Sequence, residues 1–116
     1  MSTYVKRFLS GSTNGRPIRV AATGTGGTTL HTAGTGTTNY DEVYIYAVNV
    51  ATSNVDLTIE LGGTTSSDGI PFTVPSRDGL YTIIPGLPLN NGLIVKAFVS
   101  ATDSINIVGF VNRRAT

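Results

Sequence analysis

Val55-Asp56-Leu57-Thr58-Ile59-Glu60-Leu61 alternates apolar and polar residues without a break. Successive side chains of a strand point to opposite faces, so the stretch reads as a β-strand with one face buried and the other wet. A helix would space its apolar residues by three and four instead. Immediately upstream, Asp41-Glu42-Val43-Tyr44-Ile45-Tyr46-Ala47-Val48-Asn49-Val50 is apolar on both alternating sets. That pattern suits a strand covered on both faces or lying in a subunit contact. The polar Ala51-Thr52-Ser53-Asn54 between the two is a hairpin-type connection.

Further strands are expected over 70–74, 80–84, 93–100 and 105–111, each rich in β-branched or aromatic residues. Asp68-Gly69, Asp78-Gly79 and Asn91-Gly92 tolerate positive φ, and Pro71, Pro75, Pro85 and Pro88 lack the donor that central pairing needs, so these positions mark turns and edges. Toward the N-terminus, residues 4–9 and 18–22 each suit a strand, joined by Gly11-Ser12-Thr13-Asn14-Gly15. Residues 23–38 hold eight Thr and five Gly with no charge and no aromatic, and such a stretch buries little apolar area. It is expected to be a mobile loop or a projecting arm.

The expected fold is therefore all-β: a two-sheet antiparallel β-sandwich, jelly-roll-like, with an extended basic N-terminal segment. Residues 40–116 form its core and residues 1–39 an N-terminal arm and Thr/Gly-rich loop, within one structural domain. At 116 residues there is material for one core, which buries roughly two-thirds of the unfolded chain's surface. With no Cys, stability rests on packing, hydrogen bonds and association rather than disulfides or thiolate metal sites. No apolar run approaches the ~18 residues of a membrane span, and the first residues lack the apolar segment of a secretory signal, so a soluble chain made without export is expected.

Charged residues make up 13% of the chain, about half the usual share, and Thr and Gly fill the difference. A surface of hydroxyls and backbone with few charges to repel neighbours suits a protein packed against others. Charge is also segregated. Lys6, Arg7, Arg16 and Arg19 stand in residues 1–39 without an acid, seven acids face Arg77 and Lys96 in residues 40–103, and Arg113 and Arg114 close the chain. Basic ends around an acidic middle suit docking on an acidic surface or on a neighbouring copy.

Enzymatic chemistry finds little support. His31 is the sole histidine, it sits in the Thr/Gly stretch, and an exposed or incidental role is expected for it. Gly24-Thr25-Gly26-Gly27 hints at a phosphate cradle, yet the residues after it make a poor helix start. Asp56 and Glu60 lie about 13 Å apart along one strand, too far to act as an acid-base pair, and read as solvated face. Asp68 follows four hydroxyl residues, but one carboxylate makes a weak Ca²⁺ site and a plain Asp-Gly turn is the better account. No cofactor or metal is expected. The split basic residues and a net charge of +1 argue against nucleic acid. Tyr44, Tyr46 and Tyr81 would suit sugar stacking, although core or interface packing is the plainer use.

Asp41-Glu42-Val43-Tyr44-Ile45-Tyr46-Ala47, Leu57-Thr58-Ile59-Glu60-Leu61-Gly62-Gly63, Gly79-Leu80-Tyr81, Ile84-Pro85-Gly86-Leu87-Pro88-Leu89-Asn90-Asn91-Gly92-Leu93 and Val108-Gly109-Phe110-Val111-Asn112-Arg113 together resemble a family of small tailed-bacteriophage virion proteins, the capsid decoration or cement proteins. The resemblance implies β-sandwich domains, often homotrimers, that sit outside the head and clamp neighbouring major capsid protein subunits. It implies no enzyme, no small-molecule substrate and no membrane, and carries over no catalytic residue. Charge placement makes Lys6, Arg7, Arg16 and Arg19 the expected capsid-facing residues, and the two-sided apolar strand makes Tyr44 and Tyr46 the expected contact between copies. A neck, tail or fibre module and a carbohydrate-binding sandwich are the alternatives.

Overall fold

The computed structural model describes residues 2–116 and is built almost wholly of strands. In chain order these are β1 (Thr3–Phe8), β2 (Ile18–Arg19), β3 (Thr28–Thr32), β4 (Tyr40–Asn49), β5 (Val55–Leu61), β6 (Gly69–Val74), β7 (Leu80–Leu89), β8 (Ile94–Val99) and β9 (Ile105–Ala115), with one 3₁₀ turn at Ser66–Asp68. Two antiparallel sheets pack face to face as a β-sandwich. One has the order β1-β9-β4-β7, with β2 also on β9, and the other the order β3-β8-β5-β6. The pairing is nested: β1 with β9, β3 with β8, β4 with β7, β5 with β6.

The alternation in β5 is realised as expected, with Val55, Leu57 and Ile59 in the core. They meet Val43, Ile45 and Ala47 of β4 and Ile105, Ile107 and Val111 of β9 in one apolar cluster. At about 25 cal/mol per Å² of apolar surface removed from water, this cluster is the main stabilising contribution. Only one alternating set of β4 is fully buried, and Tyr40, Glu42, Tyr44 and Tyr46 on its other face are half-buried. Asn49 closes the β4–β5 connection by donating to the carbonyls of Ser53 and Val74 and accepting from the Ala51 N–H. Asn91 and Gly92 both take positive φ, as a tight turn requires, whereas Gly69 is extended and the Asp68-Gly69 pair needs no such freedom.

In the N-terminal third β1 and β2 fall where strands are expected, and it is the Thr/Gly-rich stretch that departs from expectation. Leu9, Val20 and Leu30 are core residues, and residues 23–38 contain β3 instead of a mobile loop or free arm. Hydrogen bonding replaces the missing apolar area: the Thr28 hydroxyl accepts the N–H groups of Ala21 and Ala22, and Glu60 receives the Gly27 N–H and the Thr25 hydroxyl. Gly27 lies so close to β8 that a Cβ there would stand 2.3 Å from the Ala97 carbonyl oxygen, which only glycine permits. Glu60 is consequently 2% exposed and not the solvated residue its parity on β5 suggests, while Asp56 is exposed as expected.

Candidate functional site

His31 is also buried, at 2% exposure, and is the hub of a polar cluster joining β3, β4, β9 and the end of β1. Its Nδ1 accepts the Ser10 N–H at 2.9 Å, so Nδ1 carries no proton and the Nε2–H donates to Asp41 Oδ2 at 2.7 Å. Arg113 grips the same carboxylate with two bonds, Nε to Oδ1 at 2.7 Å and Nη2 to Oδ2 at 2.9 Å. Burial pushes the Asp41 carboxyl up, but the bonds from Arg113 and His31 outweigh it and hold the group below its ordinary range. The Ser10 hydroxyl is engaged as well, accepting the Thr32 N–H at 2.7 Å.

Ser, His and Asp are thus close together without the geometry of a nucleophilic triad. The serine meets the imidazole through its backbone, and both ring nitrogens are occupied, so His31 has no free site to take a proton from a hydroxyl. The arrangement is a clasp between the two sheets. Its signal in the sequence is Asp41, which shares its alternating set with Val43, Ile45 and Ala47. A carboxylate on a buried set needs a cationic partner. Among the described residues no group of three or more His, Cys, Asp or Glu is placed to hold a metal ion.

The four expected docking cations lie along one edge. Lys6 and Arg7 are on β1, Arg16 is in the following connection, and Arg19 is on β2; β1 and β2 both pair with β9. They divide between two hollows. Lys6 and Arg7 border a groove of about 890 Å³ with Val5, Phe8, Phe110 and Arg113, and Arg16 and Arg19 border a smaller one with Asn106. Among the described residues Asp41 is the only carboxylate within ion-pair distance of a basic side chain, so these four have none. Lys6 rests 4.7 Å from the centre of the Phe110 ring, and Arg19 donates to Asn106 at 3.3 Å.

Tyr44 and Tyr46 share the outer face of the same sheet. The Tyr44 ring stacks on Phe110, with centroids 4.6 Å apart and planes at 12°, and it also covers Gly86, where a Cβ would come within 2.8 Å of the ring. Gly86, Tyr44, Phe110 and Lys6 therefore form a row across β7, β4, β9 and β1. Stacking on two sides occupies the faces a sugar would need on Tyr44. Tyr81 tilts against Phe72 and donates its hydroxyl to Asp78. Comparison with known proteins found no matching family model, curated protein or solved structure.

Proposed function

We propose that the chain is a non-catalytic decoration protein of a tailed-bacteriophage head, which binds the outside of the assembled capsid and stabilises contacts between major capsid protein subunits. The observation that carries this reading is β1. All six of its residues are exposed, with Tyr4, Val5 and Phe8 at 54, 50 and 62%, and its two cations, Lys6 and Arg7, have no carboxylate within ion-pair distance among the described residues. Fixing a residue's backbone costs about 1–2 kcal/mol, while a ladder hydrogen bond returns about 1 kcal/mol net. A strand that buries nothing gains little by itself and much by being covered, which suits a docking element.

The nested strand order is read as a jelly roll, a double-sheet form also used in viral capsid domains. Lys6, Arg7, Arg16 and Arg19 face the capsid in this reading. The outer sheet face around Tyr46 meets other copies in a homotrimer. A protein that binds only the assembled lattice adds its binding free energy to that state, and several feet on one oligomer act together.

Titration against expanded, undecorated heads tests the capsid face. Lys6→Glu with Arg7→Glu, and separately Arg16→Glu with Arg19→Glu, are expected to weaken capture at least tenfold with an unchanged circular-dichroism spectrum. Undiminished capture by both double variants would remove the proposal. Sedimentation of Tyr46→Glu tests the self-contact, with a shift from trimer to monomer expected.

A further inference from the structure

The second sheet carries a feature that assembly through β1 does not use. We propose that the outer face of β8, β5 and β6 is a binding site for a neutral sugar residue, organised around Glu60. It is a hollow of about 420 Å³ lined by Thr25, Thr58, Glu60, Thr65, Pro71 and Phe98. That volume lies toward the small end of ligand sites, roughly 300–1,000 Å³, and suits one or two pyranose rings.

Glu60 is the anchor. It is 2% exposed; Oε1 accepts the Gly27 N–H at 2.9 Å, and Oε2, at 2.8 Å, shares the single Thr25 hydroxyl hydrogen with the Thr64 carbonyl. A carboxylate has about four acceptor positions, so two bonds leave capacity for further donors. Lys96 is its register partner on β8, yet the two side chains are not within ion-pair distance. A buried carboxylate held by two neutral donors and no cation is costly, and hydroxyl groups brought by a ligand relieve that cost.

The rest of the hollow matches the same chemistry. Thr58 is flanked in register by Phe98 on one side and Pro71 on the other, which gives an apolar floor. The Thr25 segment and the connection through Thr64, Thr65 and Ser66 form hydroxyl-bearing walls, tied together where Thr25 Oγ1 meets the Thr64 carbonyl at 2.8 Å. A pyranose has an apolar C–H face and a hydroxyl rim. Its face lies on Phe98 and Pro71 and its rim donates to Glu60. An anionic ligand is disfavoured by the uncompensated carboxylate.

The test is an amide chemical-shift titration of the full chain with a panel of neutral mono- and disaccharides, taken to about 20 mM to reveal a Kd of about 1 mM. Shifts confined to Gly27, Thr58, Thr65 and Phe98 with at least one sugar are expected. Phe98→Ala and Thr58→Val, which leave the Glu60 bonds in place, should each weaken that binding severalfold with an unchanged spectrum elsewhere. No shift with any sugar, shifts indifferent to Phe98→Ala, or a response to acetyl-lysine methylamide in place of sugars would overturn the proposal. The site is on the other sheet from the cationic edge, so loss of head binding and loss of sugar binding are separable results.

Discussion

Strands β1 and β3 are edges on the same side of the sandwich, and they are held in opposite ways. β3 has five residues, of which Leu30 and His31 are buried, and it is fastened by the His31–Asp41–Arg113 clasp. β1 has six residues and buries none, and what fastens it is its ladder to β9 and surface contacts such as Lys6 over Phe110. The Thr/Gly-rich segment that looks too weak to order itself is therefore the firm one. The segment with more aromatic and aliphatic residues is the exposed one. Burial decides which edge is structural and which is available to a partner, and composition is a poor guide to it.

The largest expected contrast comes from truncating each strand. Leu30→Ala leaves a cavity in a fully buried site and should cost about 3 kcal/mol in urea unfolding, whereas Phe8→Ala should change stability by less than about 0.5 kcal/mol. Equal losses would show that β1 is as integral as β3. Next in size is the clasp. Asp41→Asn should cost about 2 kcal/mol, because the bonds from Arg113 and His31 lose their charged acceptor.

The acid response follows from the same group. Asp41 titrates lower in the folded chain than in the unfolded one, whose value is about 3.9. Its contribution is thus complete above that pH and is lost as pH falls through the lower folded value. Unfolding free energy measured across this acid range should fall more steeply in the wild type than in Asp41→Asn, and parallel curves would exclude the clasp as the cause. A smaller contrast is expected in native-state hydrogen exchange, with the β1 amides that pair with β9 exchanging faster than those of β3. Least of all, Tyr4→Phe removes only the exposed hydroxyl contact with Tyr40 and should leave thermal stability unchanged within about 0.5 kcal/mol.

Much of the sandwich is legible in local pattern, because a strand with one buried face writes period two into its residues, as β5 does. β3 escapes that reading for a definite reason. Its pairing with β8 slips between Thr29 and His31, so two consecutive residues, Leu30 and His31, point inward and no alternation remains. Glu60 is misread for a different one. Its parity is on the outer face, but it is covered by Gly27, 33 residues earlier, and no local pattern carries a contact over that distance. The charge asymmetry does locate the cationic edge, since Lys6, Arg7, Arg16 and Arg19 all fall on strands or connections along β9. What the sequence leaves hidden is how Arg113, 72 residues from Asp41, and His31 meet on that one carboxylate.

Strand β9 has one further consequence. It follows the other eight described strands in sequence, yet it sits inside its sheet and pairs with β1, β2 and β4. During synthesis the earlier strands of that sheet wait as separate pieces until this ribbon emerges to join them. Folding is then slow and nearly all-or-none, with loop closures of about the whole chain length. A ribosome-bound chain lacking β9 should be sensitive to protease in β1 and β2, and emergence of β9 should abolish that sensitivity.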